Sequence, residues 1–198
     1  MESESFHYLR RGVQEAYSRA AERPQGEHPF PVGRHFAESI GYPKRLLDQV
    51  PSISIHAFSG VSNVSIFARI PEGSTVLDLE CGAGLDAIIA AKKTGSRGRV
   101  LGLDFSKAML SRAAQSAREA GLENIEFYQG DAESIPARDE AFDVAMANGI
   151  FNLSPARDAI FQELARVVKK GGLVFAAELI LKEGIPKKDL VCDANWFA

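Results

Sequence analysis

Residues 76–91, VLDLECGAGLDAIIAA, combine three backbone patterns in one short stretch. The apolar run VLDL is typical of a buried strand, and LDAIIAA has the spacing of a helix. Between them lies a turn that contains Gly82 and Gly84. A strand, a glycine turn and a helix in this order begin a βαβ unit, so the stretch predicts an α/β fold.

The same alternation continues towards the C-terminus. Strands are predicted at 75–80, 99–105, 125–130, 142–148 and 171–180, and helices at 85–95, 106–121 and 156–172. Ser106 is expected to cap the second of these helices and Ser154 to open the third, and both helices are expected to end at glycines. Right-handed crossovers then predict a doubly wound, mostly parallel, Rossmann-like sheet.

The first part of the chain has a different pattern. A helix is predicted over 6–23, a proline- and glycine-rich loop follows, and short helices are expected at 34–39, 44–49 and 62–70. We therefore divide the chain into an N-terminal helical extension on the substrate side, residues 1–70, and a core, residues 71–198.

Composition excludes several classes of protein. The chain has 198 residues, is 45% hydrophobic and 25% charged, and has a net charge of −3, which offers no field for nucleic acid. No apolar run is long enough for a membrane span, and the start lacks a secretory signal. Cys81 and Cys192 are too few for a disulfide scaffold, and no metal site is expected, since His28 and His35 fit a surface loop. A cytoplasmic protein is the expectation.

Polar residues follow four consecutive predicted strands, where parallel α/β sheets bind ligands. Gly82 and Gly84 leave backbone amides at a helix start. Asp104 could accept both ribose hydroxyls, Asp131 could accept an exocyclic amine, and Asn148 follows the fourth strand. Together they predict a site for an adenosine-containing ligand.

Two such ligands compete. The segment GAGLDA, residues 82–87, matches a dinucleotide fingerprint, with Asp104 at about the expected ~20-residue distance. However, Asp78 and Glu80 flank the turn, where they would repel a pyrophosphate and attract an α-amino group. The acids favour S-adenosylmethionine. A nicotinamide-dependent oxidoreductase and a non-catalytic S-adenosylmethionine-binding protein stay open as alternatives.

The segments VLDLECGAG, VLGLDFS, FYQGDAESIP, FDVAMANGIFNLSP and ELARVVKKGGLVFAAE together resemble the class I S-adenosylmethionine-dependent methyltransferases. The resemblance covers residues 74–180 and is closest to the arsenite methyltransferase-like branch. It implies that Asp78 lies near the methionine amine, that the 80–84 backbone lies beneath the methionyl and ribose groups, and that Asp104 holds the ribose.

The remaining site residues are also implied by the resemblance. Phe105 would flank the adenine, and Asp131 with the amide of Ala132 would bind its edge. Asn148 would face the methyl group, and Tyr17 on the first helix would fold over the cofactor. No catalytic residue is identified. The implied reaction is in-line methyl transfer to a small organic molecule.

Three features depart from the family. Val61 and Gly149 stand where the arsenite enzymes have cysteines, and Cys192 is the only thiol near the place of a third, so arsenite is not an expected substrate. Glu80 replaces a glycine, and its side chain could contact the cofactor's amine, narrow the site or turn to solvent. The C-terminal strand pair is missing, which suggests a fragment or a short form whose open sheet edge would favour a homo-oligomer.

Overall fold

The structure, a computed structural model, describes residues 2–180, with the side chains of residues 2–7 left out. Its centre is a five-stranded, all-parallel sheet in the order β3-β2-β1-β4-β5. The strands are β1 Thr75–Leu79, β2 Arg99–Asp104, β3 Ile125–Gln129, β4 Phe142–Asn148 and β5 Val168–Ala177. The predicted α/β fold with a parallel sheet is confirmed.

Five helices precede the sheet in the described chain: α1 Glu2–Glu22, α2 Arg34–Ser39, α3 Lys44–Leu47, α4 Ser52–His56 and α5 Val64–Phe67. The first two agree with the sequence prediction, and α3 and α5 are shorter than predicted. The sequence analysis missed α4, whose single turn follows Pro51. One turn is too short to show an apolar periodicity, which explains why it was missed.

Helices cover both faces of the sheet. Between the strands lie α6 Leu85–Thr94, α7 Lys107–Glu119 and α8 Arg157–Val167, with a short 3₁₀ turn at Phe151–Leu153. Leu77 and Leu79 of β1 pack on the α8 face, whereas Val76 packs on the α6 face. Because β1 is buried on both faces, its carboxyl end lies at the centre of the molecule.

The helix ends correct part of the prediction. Ser106 does cap α7, since its side chain accepts a hydrogen bond from the Met109 amide at 3.3 Å. The third helix, α8, has no side-chain cap. Ser154 lies before it, accepts from the Ala156 amide at 3.0 Å and donates to Glu133 at 2.7 Å.

The glycines after α8 also have another role than the predicted one. The helix ends at Val167 and β5 begins at the next residue, so no glycine terminates it. The pairing of β4 with β5 instead jumps from Phe142–Val168 to Val144–Leu173. Gly171 has a φ of 79° within this irregularity, a conformation that glycine adopts without strain.

No helix in the described part of the chain is long and apolar enough to cross a membrane. The predicted absence of a C-terminal strand pair concerns residues 181–198, which lie outside the described residues.

Candidate functional site

A cavity of about 440 Å³ opens at the carboxyl ends of β1, β2 and β4, beneath α1. Nine of the ten residues predicted for the site line it, and Gly84 lies directly behind them in the turn. The nine are Tyr17, Asp78, Glu80, Gly82, Asp104, Phe105, Asp131, Ala132 and Asn148. The sheet topology brings these residues together because the carboxyl ends of parallel strands share one edge.

The turn after β1 explains the need for its glycines. Gly82 and Gly84 have φ values of 53° and 85°, in the left-handed region. A Cβ on Gly84 would lie 2.9 Å from the Cβ of Ala113 in α7, whereas a Cβ on Gly82 would meet nothing within 4 Å. Gly84 therefore allows close packing of α7, and Gly82 presents its backbone to open space.

Asp104 links the turn to the start of α7. Its Oδ2 accepts the Gly82 amide at 2.8 Å, and its Oδ1 accepts the Ser106 amide at 2.7 Å. The carboxyl group is buried, and this burial raises its pKa to about 6 despite the two amide donors. Each oxygen keeps a second lone pair, so the carboxylate can still accept hydrogen bonds from a ligand.

Asp78 lies at the bottom of the cavity. Its Oδ2 is buried and has no hydrogen-bond partner among the described residues. Burial raises the pKa of this carboxyl well above its usual range, and the negative charges of Asp86 and Asp104 raise it further. An unpartnered buried carboxylate is costly, and a bound ammonium group would remove that cost.

Asp131 pairs with α1. The guanidinium group of Arg10 forms an ion pair with Asp131 and also lies 3.4 Å from Oε2 of Glu133. Ala132, between the two acids, is buried. The structure thus brings Asp131 to the cavity as predicted, with a cation beside it that the sequence analysis did not identify.

Tyr17 covers the cavity as part of an aromatic group. Its ring stacks on Phe30 with centroids 4.4 Å apart and meets Phe105 edge-on at 6.5 Å. Burial raises the pKa of the Tyr17 hydroxyl, and the charges of Asp104, Glu178 and Glu80 add to this effect. The hydroxyl therefore stays protonated near neutral pH and can donate a hydrogen bond.

The amide of Asn148 is fully occupied by protein groups. Its Oδ1 accepts the amides of Val61 and Ser62 at 2.9 and 3.0 Å. Its Nδ2 donates to the Ser62 carbonyl at 2.7 Å and to Asp86 Oδ2 at 2.9 Å. Asn148 thus fastens the loop over 59–63 to the end of β4, whereas its predicted place at the methyl group stays a prediction.

Asp86, in the first turn of α6, is a residue that the sequence analysis missed. It is buried and accepts hydrogen bonds from the Tyr42 hydroxyl at 2.5 Å and the Ser65 amide at 3.2 Å, in addition to Asn148. The signal was an acidic residue inside the otherwise apolar helix segment LDAIIAA. Its partners are distant in sequence, and for that reason no local pattern reveals them.

The two positions that lack the family's cysteines lie together. A Cβ on Gly149 would approach Cγ1 of Val61 to 2.8 Å, so the valine fills the space beside the glycine. Cys81 is the one free thiol that the structure describes, and burial raises its pKa well above its usual range. Cys192 lies outside the described residues. Among the side chains of residues 8–180, no three His, Cys, Asp or Glu form an arrangement that could hold a metal ion.

A model of the family described as "Methyltransferase domain" matches residues 70–195. The chain belongs to this family. The match contains the whole sheet and every cavity residue after α5, so it covers the cofactor side of the site rather than α1.

Individual relatives agree with this assignment. An arsenite methyltransferase of Halobacterium salinarum is 34% identical over 76% of this chain and 38% of its own length. A demethylmenaquinone methyltransferase of Oceanobacillus iheyensis is 38% identical over 56% of this chain and 46% of its own length. The chain thus spans less than half the length of these curated relatives.

A solved structure extends the similarity to the N-terminal helices. An arsenic(III) S-adenosylmethionine methyltransferase of Chlamydomonas reinhardtii superposes with a TM-score of 0.62 and 28% identity over 83% of this chain and 56% of that chain. The resemblance to class I S-adenosylmethionine-dependent methyltransferases near the arsenite branch is therefore confirmed. The predicted cofactor, S-adenosylmethionine, is confirmed at the level of the family, and a nicotinamide cofactor is not favoured.

The raised pKa of Asp104 predicts a pH dependence of stability. An aspartate in an unfolded chain has a pKa near ~3.9, so between that value and about 6 the folded state binds more protons than the unfolded state. This carboxyl should lower the free energy of unfolding by up to about 3 kcal/mol as the pH rises from ~4 to ~7. Urea unfolding of wild type and Asp104→Asn across this range measures the effect.

The variant lacks the titrating group, and its stability should therefore decrease less over the same range. Asp143 and Glu163, whose pKa values are lowered, and Asp78 and Glu80, whose pKa values are raised, are common to both proteins. Parallel stability curves for the two proteins would contradict the burial of an ionisable Asp104.

Proposed function

We propose that the chain is the cofactor-binding part of an S-adenosylmethionine-dependent methyltransferase that acts on a small organic molecule. The supporting observation is the pair of enclosed, unpartnered carboxylate oxygens, Asp78 Oδ2 and Glu80 Oε2, in a cavity beneath a roofing helix. S-adenosylmethionine carries an ammonium and a sulfonium group, and both are stabilised by such an acidic cavity. A pyrophosphate would be repelled by the same groups.

The residues of the cavity suggest how the ligand would be held. Asp78 would bind the ammonium group, Asp104 the ribose hydroxyls, and Phe105 with the Asp131–Ala132 segment the adenine. Gly82 contributes backbone beside the open space described above. When bound, S-adenosylmethionine supplies an electrophilic methyl group on its sulfonium sulfur.

The chain would accelerate the transfer mainly by positioning. Tyr17 and the rest of α1 cover the cavity and exclude water from it, and the loop fastened by Asn148 forms a wall near the end of β4. Holding donor and acceptor in line can contribute about 7–11 kcal/mol to a reaction of this type. The protonated Tyr17 can donate a hydrogen bond but cannot serve as a base, so an acceptor that needs no strong base suits this site.

Calorimetry and turnover test the proposal. Titration of the protein with S-adenosylmethionine, S-adenosylhomocysteine and a nicotinamide dinucleotide should give heats of binding for the first two alone. Transfer of a labelled methyl group to components of a metabolite extract then distinguishes an enzyme from a non-catalytic binding protein. Binding of the dinucleotide in preference to S-adenosylmethionine would refute the assignment.

Arsenite should not be methylated by this chain. Soft arsenic requires several thiolates, and the two matched positions in the described structure carry Val61 and Gly149 instead. Incubation with arsenite, labelled S-adenosylmethionine and a small-molecule thiol reductant should produce no methylated arsenic above a protein-free control. Methylarsenicals formed at the rate of another acceptor would contradict this substrate proposal and leave the cofactor assignment intact.

A cytoplasmic location and a homo-oligomeric state belong to the same proposal. The first rests on composition, and the second on the position of β5 at the edge of the sheet in the described part of the chain. Size-exclusion chromatography with light scattering measures the second.

A further inference from the structure

Glu80 has a backbone conformation that non-glycine residues seldom adopt. Its φ is 55°, in the left-handed region, where an L side chain costs roughly 1 kcal/mol or more. It stands immediately after β1, at the first position of the glycine turn. A costly conformation at the floor of a ligand cavity needs a physical explanation.

The side chain of Glu80 points to the β2 side of the cavity. β1 and β2 pair with Leu79 opposite Leu103, so Glu80 and Asp104 take the next, neighbouring positions at the ends of these strands. Besides burial, the charges of Asp104, Glu133 and Asp131 help to raise the pKa of the Glu80 carboxyl. These three acids follow β2 and β3, on the side of the proposed ribose and adenine positions. Because Glu80 Oε2 is enclosed, the side chain does not turn to solvent.

One oxygen of this carboxylate lacks a partner. Glu80 Oε2 is enclosed and accepts no hydrogen bond from any residue in the described part of the chain. Burial raises the pKa of the Glu80 carboxyl well above its usual range, with the Asp104 charge as the next cause. Polar groups of α1 on this side include the Tyr17 hydroxyl, the Arg10 guanidinium, which is bound to Asp131, and the Gln14 amide, which donates to the Phe105 carbonyl at 3.5 Å.

We propose that Glu80 and Asp104 form a two-carboxylate clamp for the ribose of the adenosyl ligand, each accepting one of the two neighbouring hydroxyl groups. A cis-diol presents two O–H donors side by side. Two adjacent carboxylates match them, because an ionised carboxylate only accepts hydrogen bonds. Asp104 has used one lone pair on each oxygen for the amides of Gly82 and Ser106. Glu80 therefore supplies a second carboxylate that can accept a hydrogen bond from the ribose, in addition to that of Asp104.

This clamp rests on the proposed function, because it assumes an adenosyl ligand in the cavity. It assigns Glu80 a role in ligand specificity: the chain should discriminate against ligands that lack one ribose hydroxyl more strongly than a chain with glycine at this position. A phosphate group on the ribose would be repelled by both carboxylates.

Calorimetry on Glu80→Gln and Glu80→Gly tests the clamp. The ligands are S-adenosylhomocysteine and its 2′-deoxy and 3′-deoxy forms, and Glu123→Gln, an exposed acid remote from the cavity, is the matched control. Loss of a hydrogen bond to a charged acceptor should weaken binding of the parent ligand about 10- to 100-fold in Glu80→Gly, and less in Glu80→Gln, whose amide oxygen can still accept. For one of the two deoxy ligands, the variants and wild type should bind within about threefold of one another, since the bond is already lost.

Thermal unfolding without ligand supplies a second measurement. Glu80→Gly removes both the strained side-chain conformation and the enclosed carboxyl group, so its melting temperature should rise by about 2–4 °C while its affinity falls. A higher melting temperature together with a lower affinity would indicate that Glu80 contributes to ligand binding at a cost in stability. A glycine variant that binds S-adenosylhomocysteine more tightly than wild type would overturn the clamp, because Glu80 would then only narrow the cavity.

The outcomes separate the two proposals. Binding of the parent ligand with no dependence on Glu80, or an equal effect of Glu80 on all three ligands, overturns the clamp and leaves the proposed function in place. Failure of the wild-type chain to bind S-adenosylmethionine or S-adenosylhomocysteine overturns the proposed function and the clamp with it.

Discussion

Asp104→Ala is expected to weaken S-adenosylmethionine binding by at least about 10- to 100-fold. The hydrogen bond from one ribose hydroxyl to a charged acceptor would be lost, at ~1.5–3 kcal/mol. The substitution also frees the amides of Gly82 and Ser106, which Asp104 holds at 2.8 and 2.7 Å. The turn would therefore lose order as well as an acceptor, and calorimetric titration at pH 7.5 measures the combined effect.

Asp104→Asn separates these two causes, because it keeps one acceptor oxygen and nearly the same volume. Its affinity should lie between those of wild type and the alanine variant. Asp139→Ala serves as control, since this aspartate is exposed and remote from the cavity. Wild-type affinity in a folded Asp104→Ala protein would remove the basis of the whole site assignment.

The second large effect is expected from Asp86→Ala, on stability. The substitution leaves the Ser65 amide and one N–H of the Asn148 side chain without an acceptor, and it leaves the Tyr42 hydroxyl only the Ser62 carbonyl at 3.3 Å. At ~1–3 kcal/mol for each unsatisfied group, partly relieved by relaxation and water, the free energy of unfolding should fall by about 3–5 kcal/mol. Urea unfolding followed by circular dichroism measures this loss.

Asp158→Ala is the matched control for Asp86→Ala. Asp158 also lies in the first turn of a helix, α8, but its side chain is exposed. Its substitution should change the free energy of unfolding by no more than ~1 kcal/mol through the helix dipole. Equal losses in the two variants would show that helix-dipole effects, and not the buried hydrogen bonds, account for the role of Asp86.

The strands along the chain and their polar ends were predictable because both depend on local patterns. Apolar runs define β1 to β5, and parallel strands bring their carboxyl ends to one edge, so Asp78, Asp104 and Asp131 could be grouped before any coordinates. The glycines at 171 and 172 were misassigned to a helix end. Their irregularity in β5 depends on the register with β4, which sequence spacing does not contain.

Contacts between residues that are distant in the sequence could not be predicted from it. Arg10 pairs with Asp131, which is distant in the sequence, and Asn148 binds the loop at 61–62 through contacts that no periodicity encodes. Glu80 was recognised as a departure from the family, but its enclosure beside Asp104 depends on the register of β1 with β2. Its left-handed backbone is likewise visible only in the structure.

The two ends of α1 are attached to the rest of the protein in different ways. Near the C-terminal end, Ala20 and Ala21 are buried, and Arg112 of α7 donates to the Ala21 carbonyl. Further towards the N-terminus, Arg10 is held through ion pairs whose side chains are partly exposed to solvent. Dissolved salt weakens exposed ion pairs and leaves apolar packing in place. Ionic strength would thus act selectively on the end of α1 that lies over Asp131, so the rate at which ligands enter the cavity should increase with salt concentration.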